Sequence, residues 1–375
     1  MKKEVIVIGG GIVGSTTAFY LSQNDHIHVT LVDHGVGNAT RAAAGIICPW
    51  LSQRRNKDWY ALTSAGAAFY LKLMEDMKDK GIAKLPYKQT GTLVFKNKVS
   101  LLEKLEKLAR KRREEAPHIG QVSVYPDGHA RRLVPPLSTR QGAVFAAGGG
   151  RVDGGLLVDQ LQDLIQQAGG TIIREKAELH AQNQVNIRGQ IQSYDTIVLA
   201  CGAWLKETLA PLGYQVDVRP QKGQLIEVQT DFNTKNWPGC MLHCEIDILP
   251  FENGKLVIGA SHEDNQGFDL TADQDLSFQM KQTAEDFIPS LAGYTISHTR
   301  VGTRAYTSDY SPFYGQIPEA DNIWAISGLG SSGLTSGPFI GWQVAQEILG
   351  HKPDFDRTPY TTGKYILKKL SELSF

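Results

Sequence analysis

Gly9, Gly11 and Gly14 stand at fixed spacing, and Asp33 follows nineteen residues after the last of them. Residues of these types at this spacing can bind a dinucleotide. A glycine turn lets the backbone approach a pyrophosphate, the N–H groups and positive dipole of the next helix stabilise its charge, and an acid about 20 residues on accepts from a ribose hydroxyl. Ile12, Val13 and His34 flank these positions and belong to the same candidate site. A second glycine- and hydroxyl-rich turn contains Gly328, Gly330, Ser331, Ser332 and Gly333, with Leu334 and Thr335 after it. Amides at the start of a helix there could stabilise negative charge, or Ser331, Ser332 and Thr335 could simply cap it. Arg304 carries a planar fork of donors suited to a carboxylate. Asp247 is an acid that could hold a cationic amine.

The elements needed to position these groups are visible around them. A strand over 5–8, the glycine turn, a helix over 15–22 and a strand over 29–32 form a parallel crossover. Residues 196–204 read as a buried strand running into a small-residue turn, and a strand over 323–326 precedes the second glycine turn. Apolar residues recur at helical period over 59–80, 99–115, 155–168, 271–287 and 333–349. Arg304 is expected just beyond a strand over 296–301. Residues 40–47 include four alanines or glycines and lie outside any obvious helical pattern, so a flat ring could rest against their backbone.

Composition bounds the function. A chain of 375 residues is too long for one compact core, so two domains are expected. Its 39 basic and 39 acidic residues give no net field towards nucleic acid or an anionic membrane, and small molecules are the expected partners. The basic run over 104–113, with acids around it, reads as a solvated helix face. No apolar run reaches the roughly 18 residues of a membrane span, and a turn beginning at residue 9 leaves no room for a signal peptide, so a cytoplasmic location is expected. Cys48, Cys201, Cys240 and Cys244 are too few for a disulfide scaffold. Cys240, His243 and Cys244 lack a second ligand pair at zinc spacing, so buried strand cysteines and no metal are expected.

Taken in order along the chain, the motifs resemble those of the D-amino acid oxidase superfamily of FAD-dependent oxidoreductases, most closely its glycine oxidase and D-amino acid dehydrogenase branch. The resemblance rests on Gly9 to Gly14 with Asp33; residues 38–47; Gly150-Arg151-Val152-Asp153; Ala200-Cys201-Gly202-Ala203-Trp204; Pro220-Gln221-Lys222-Gly223-Gln224; Gly302-Thr303-Arg304; and residues 328–338. It implies a glycine oxidase-like fold combining α/β and α+β parts. A Rossmann-like FAD domain would be assembled from residues 1–85, 145–215 and 320–375, with an inserted antiparallel-sheet substrate domain from 86–144 and 216–319.

By the same resemblance, Thr40 and Arg41 approach the FAD pyrophosphate, while Ala42, Gly45, Ile46 and Ile47 border or adjoin the isoalloxazine. Ala177, Glu178, Ala200, Cys201, Gly202 and Trp204 join the FAD contacts, and Arg304 anchors the substrate carboxylate beside the flavin. Relatives that bind FAD covalently do so at positions that here are Ala42 and Arg304, so non-covalent FAD is implied, with Cys48 the only nearby nucleophile. The chain departs from its relatives at Asp33, where glutamate is commoner, and at Gly154, where many have proline. Asp247 replaces a substrate-contacting tyrosine, Ser331 an arginine and Val257 the oxygen-activating lysine of sarcosine oxidases.

The implied activity is dehydrogenation of the C–N bond of a small amino acid, whether a D-amino acid, glycine or an N-substituted glycine. Hydride passes to flavin N5 and water hydrolyses the imine. Two alternatives stand beside it: an FAD-dependent 2-hydroxy acid dehydrogenase, and a flavoprotein modifying the wobble uridine of tRNA, against which the neutral charge argues. No feature of the sequence sets an oligomeric state.

Overall fold

The computed structural model describes residues 2–244, 246–352 and 354–369. Lys3–Ile8 lies inside a six-stranded sheet whose order is Phe313–Ile317, Ala320–Ser327, Thr196–Leu199, Lys3–Ile8, Ile27–Val32, Thr171–Ile173. Neighbours are parallel except for the edge strand Phe313–Ile317. Side chains alternate across a strand, so Val5, Val7, Val29 and Leu31 enter one apolar core while Ile6, Ile8 and Val32 enter another. A sheet buried on both faces explains why its central strands read as unbroken apolar runs. Helices Ile12–Ser22, Lys57–Asp79, Gly154–Gln167 and Gly333–Ile348 contribute to the first of these cores.

The second sheet has eight strands in the order Ile296–Tyr306, Arg219–Gln229, Lys255–Gly259, Asp247–Pro250, Gly239–Met241, Thr92–Lys96, Gly142–Ala146, Val122–Tyr125. Helix Gln274–Phe287 packs against it through Met280, Ala284 and Phe287. The sequence suggests an antiparallel sheet, but this one is mixed, because Gly239–Met241 and Thr92–Lys96 pair in parallel. Gly142–Ala146 lies wholly in this sheet and crosses the expected boundary at 144/145. Phe313–Ile317, expected on the substrate side, pairs instead in the first sheet. Residues 370–375 of the expected last FAD segment lie outside the described residues.

Local capping moves several expected element ends. The first helix begins at Ile12 rather than 15, with Gly11 as its N-cap. Helix Lys57–Asp79 starts two residues early because the Asn56 side chain accepts from Trp59 N, and Gln274–Phe287 starts late because Asp273 accepts from Leu276 N. Residues 40–47 are not wholly irregular: Asn38 Oδ1 accepts from Thr40 N (3.0 Å) and Arg41 N (3.3 Å) and caps a short helix, Ala39–Ala42. Strand Ile46–Ile47 follows, antiparallel to Gly150–Val152. Cys240 is buried in its strand, whereas Cys244 lies half-buried in the reversal before Asp247–Pro250, which pairs back on that strand. All four thiols are free. Among the described residues, no group of acids, histidines and cysteines could hold a metal, and no helix is long and apolar enough to cross a membrane.

Candidate active site

A cavity of about 680 Å³ opens beyond the carboxyl ends of Lys3–Ile8, Ile27–Val32, Thr196–Leu199 and Ala320–Ser327, and reaches the second sheet at Gly223, Asp247, Gly259 and Arg304. At one end the helix must begin directly where the strand stops. Gly9 has φ +107°, and a Cβ there would sit 2.3 Å from the Ala200 carbonyl oxygen. A Cβ on Gly14 would meet the Gly9 oxygen at 1.8 Å, so only glycine brings helix and turn this close.

Asp33 Oδ2 accepts from Gly10 N and Oδ1 from Gly35 N, both at 2.8 Å. These bonds fix the carboxylate and leave lone pairs on both oxygens for a ribose. The buried Gln162 amide donates to the Gly10 carbonyl at 3.2 Å, and Thr40 Oγ1 accepts from Ile12 N at 3.0 Å, which ties the glycine turn to the segment after it. Trp204 meets His34 edge-on (6.0 Å between centroids) and stacks on Phe268 (4.8 Å).

At the other end, helix Gly333–Ile348 points its start at the cavity, which Gly333, Leu334 and Thr335 line. The sequence left a plain cap and an anion-stabilising terminus equally open. No side chain caps this helix: Ser332 Oγ donates to the Leu329 carbonyl (2.8 Å) and accepts from Trp59 Nε1 (3.2 Å). With no side chain competing for it, the start of this helix turns the positive end of its dipole towards the cavity. Tyr306 Oη accepts from Ser331 N at 3.0 Å and fixes the preceding turn.

Arg304 lies within strand Ile296–Tyr306, not beyond its end as the sequence suggests, and stands opposite Gln221. Its guanidinium occupies the space over Gly223, where a Cβ would come within 2.4 Å of Nη1. Nη1 donates to the Ser261 carbonyl (2.8 Å) and to Gln221 Oε1 (3.3 Å). Both acceptors are neutral. Burial lowers its pKa from the ordinary value, opposed by Tyr306 and Glu263, yet an arginine keeps its charge. Asp247 faces the same cavity from the adjoining strands, opposite Gly259. Burial pushes its carboxyl up to about 7, against a backbone hydrogen bond from Leu242.

The cavity also gathers Ala42, Gly45, Ile46, Ala177, Glu178, Cys201, Gly202, Gly330 and Ser331. Five expected contacts are not in its wall. Gly14 is internal to the turn, Ile47 is buried behind it, and Gly328 and Ser332 support the second turn. Arg41 turns to Asp159, with Nη1 at 3.2 Å. Cys48 is buried, and its thiol is pushed up to about 12, as is that of Cys201, so neither is a nucleophile at neutral pH. Gln221, Gly223 and Thr303 received no role from the sequence, although they lie inside the segments 220–224 and 302–304. His262, whose Nδ1 lies 3.3 Å from Gln221 Oε1, sits in an irregular segment with no periodic signal.

A family model described as FAD-dependent oxidoreductase matches residues 4–347. The chain belongs to this family. It is 36% identical over 365 residues to the uncharacterized oxidoreductase YurR of Bacillus subtilis (strain 168), covering 96% of this chain and 98% of that one. It is 28% identical to glycine oxidase of Pseudomonas aeruginosa, over 96% of this chain and 98% of the other. Among solved structures it is similar to iminodiacetate oxidase from Chelativorans sp. BNC1, with TM-score 0.91 and 32% identity over 96% and 99% of the two chains.

FAD is the cofactor of this family, and the cavity fits it. The glycine turn and Asp33 suit a dinucleotide, and the uncapped helix suits an electron-rich ring. Thr303 adds an independent sign: its hydroxyl is buried in the cavity wall without a hydrogen-bond partner among the described residues. Such a group costs about 1–3 kcal/mol unless a ligand satisfies it.

Proposed function

We propose that this enzyme dehydrogenates the C–N bond of a small amino acid, with glycine and N-substituted glycines as the favoured class. The observation that carries the reading is Arg304, a cation in the cavity wall held by two neutral oxygens. A substrate carboxylate can pair with its charge without displacing a protein acid, and bidentate binding fixes the α-carbon. When bound, FAD supplies the two-electron sink for the oxidation. Asp247 stands where a proton can be held on a carboxyl oxygen near neutral pH, or where a cationic amine can be paired. Water then hydrolyses the imine product. The likeness to glycine oxidase and to iminodiacetate oxidase favours a glycine unit over a larger amino acid.

The test is anaerobic bleaching of the flavin by glycine, sarcosine, iminodiacetate, D-alanine, D-proline and lactate, with the decarboxylated amines as controls. Arg304→Leu should keep FAD but reduce kcat/KM for amino acids by about 10²-fold or more, equivalent to ~3 kcal/mol. Lysine should restore only part of the loss. Equal rates with amines that lack a carboxylate would end the amino-acid reading. Faster reduction by lactate would replace it with 2-hydroxy acid oxidation.

A further inference from the structure

Arg304 depends on a neighbour for its orientation, and the chemical type of that neighbour matters. We propose that Gln221 is a positioning residue that holds Arg304 without neutralising it, so that the guanidinium charge remains for the substrate carboxylate. The proposal rests on the reading of Arg304 as the anchor.

Gln221 lies on Arg219–Gln229 directly opposite Arg304 and is buried. Its amide is oriented from both sides. Oε1 accepts from Arg304 Nη1 at 3.3 Å, and Nε2 donates to Asp264 Oδ1 at 3.1 Å, which only a nitrogen can do. Asp264 is in turn bound by Arg219 at 2.8 Å. The acid whose field reaches Arg304 is Glu263, and it is committed elsewhere: Oε1 accepts from Ser261 Oγ at 2.6 Å, and Oε2 lies 3.9 Å from Lys222 Nζ. The acids of this region are therefore held one residue away from the anchor, and Gln221 stands between Arg304 and Asp264. A carboxylate at position 221 would form an internal ion pair with Arg304 in a half-buried site, and an incoming carboxylate would have to compete with it. Glutamine and glutamate have nearly the same shape, so exchanging them changes charge with little change in packing.

The experiment uses the FAD-loaded enzyme and follows the flavin absorption spectrum during titration with acetate and with its neutral analogue acetamide. Sarcosine kinetics run in parallel. Wild type should prefer acetate, and Arg304→Leu should abolish the preference. Gln221→Glu should reduce it about tenfold or more and raise the KM for sarcosine by a similar factor, with kcat and FAD binding little changed. Gln221→Leu should lose less, because the Ser261 carbonyl still holds Arg304. A purely structural clamp would suffer at least as much from Gln221→Leu, which loses both hydrogen bonds of the amide, as from Gln221→Glu, which loses only the one to Asp264. If Arg304→Leu abolishes the preference while Gln221→Glu and Gln221→Leu keep it within about twofold, Gln221 has no such role and the anchor stands. If Arg304→Leu itself keeps the preference, the anchor and the clamp both fall. If Gln221→Glu fails to bind FAD while Gln221→Leu binds it with the acetate preference intact, the clamp is likewise overturned.

Discussion

Asp33 and Asp247 are both half-buried acids in one cavity, yet their surroundings give them opposite tasks. Two backbone N–H groups at 2.8 Å hold Asp33 as an acceptor. Asp33→Ala should therefore weaken FAD binding by about 1–3 kcal/mol without changing substrate preference, as read by titrating the apoprotein with FAD. Unchanged affinity would remove Asp33 from the ribose site. Asp247 is set by burial, which raises its carboxyl from 3.8 to about 7. The folded protein then holds this proton more tightly than the unfolded chain does. The stability so gained is full below pH 3.8 and is lost as the pH rises through about 7. Urea unfolding of apoprotein across this window should show wild type losing stability relative to Asp247→Asn as the pH rises. A difference independent of pH would show that Asp247 is not buried as a neutral acid.

Between the residue and the fold stand the elements that carry segment 38–47. The Asn38 cap makes its short helix, but the position of that helix against the second sheet depends on Arg300. From strand Ile296–Tyr306, Arg300 Nη1 donates to the carbonyls of Arg41 (3.0 Å) and Ala43 (3.1 Å), while Nη2 pairs with Glu227 at 2.7 Å. Arg300→Met should release this segment, lower FAD affinity about tenfold (~1.4 kcal/mol) and leave the acetate preference of the loaded enzyme unchanged. Affinity equal to wild type would mean that the cap alone holds the segment. The sequence showed the small residues, but neither the Asn38 cap nor Arg300, whose carbonyl partners lie more than 250 positions away and carry no local signal.

At the scale of the whole molecule, the cavity that fits FAD reaches both sheets, so FAD should bind only when they are assembled. Added FAD should therefore raise the midpoint of thermal unfolding in proportion to the logarithm of its excess over Kd. Unfolding should also release all the flavin, because Ala42 offers no nucleophile and Cys48 is buried with its thiol pushed up to about 12. Yellow colour retained by the denatured, washed polypeptide would contradict this.

The crossover with Gly9, Gly11, Gly14 and Asp33 was legible because each role there is local. Spacing alone brings the turn, the helix start and the acid together, since strand and helix geometry fix where a residue lands a few positions away. The order of the remaining motifs carried the family and the candidate anchor in the same way. Tertiary structure decided the rest. It placed Asp247 in the cavity rather than away from it, turned Arg41 out to Asp159 and moved Phe313–Ile317 into the first sheet. It also set neutral Gln221 and the Ser261 carbonyl against Arg304. The facing of a strand follows from register, and register from partners distant in sequence. A single residue of slip would turn Arg304 to the other face, and the residues that prevent it are spread over strands that only the folded chain brings side by side.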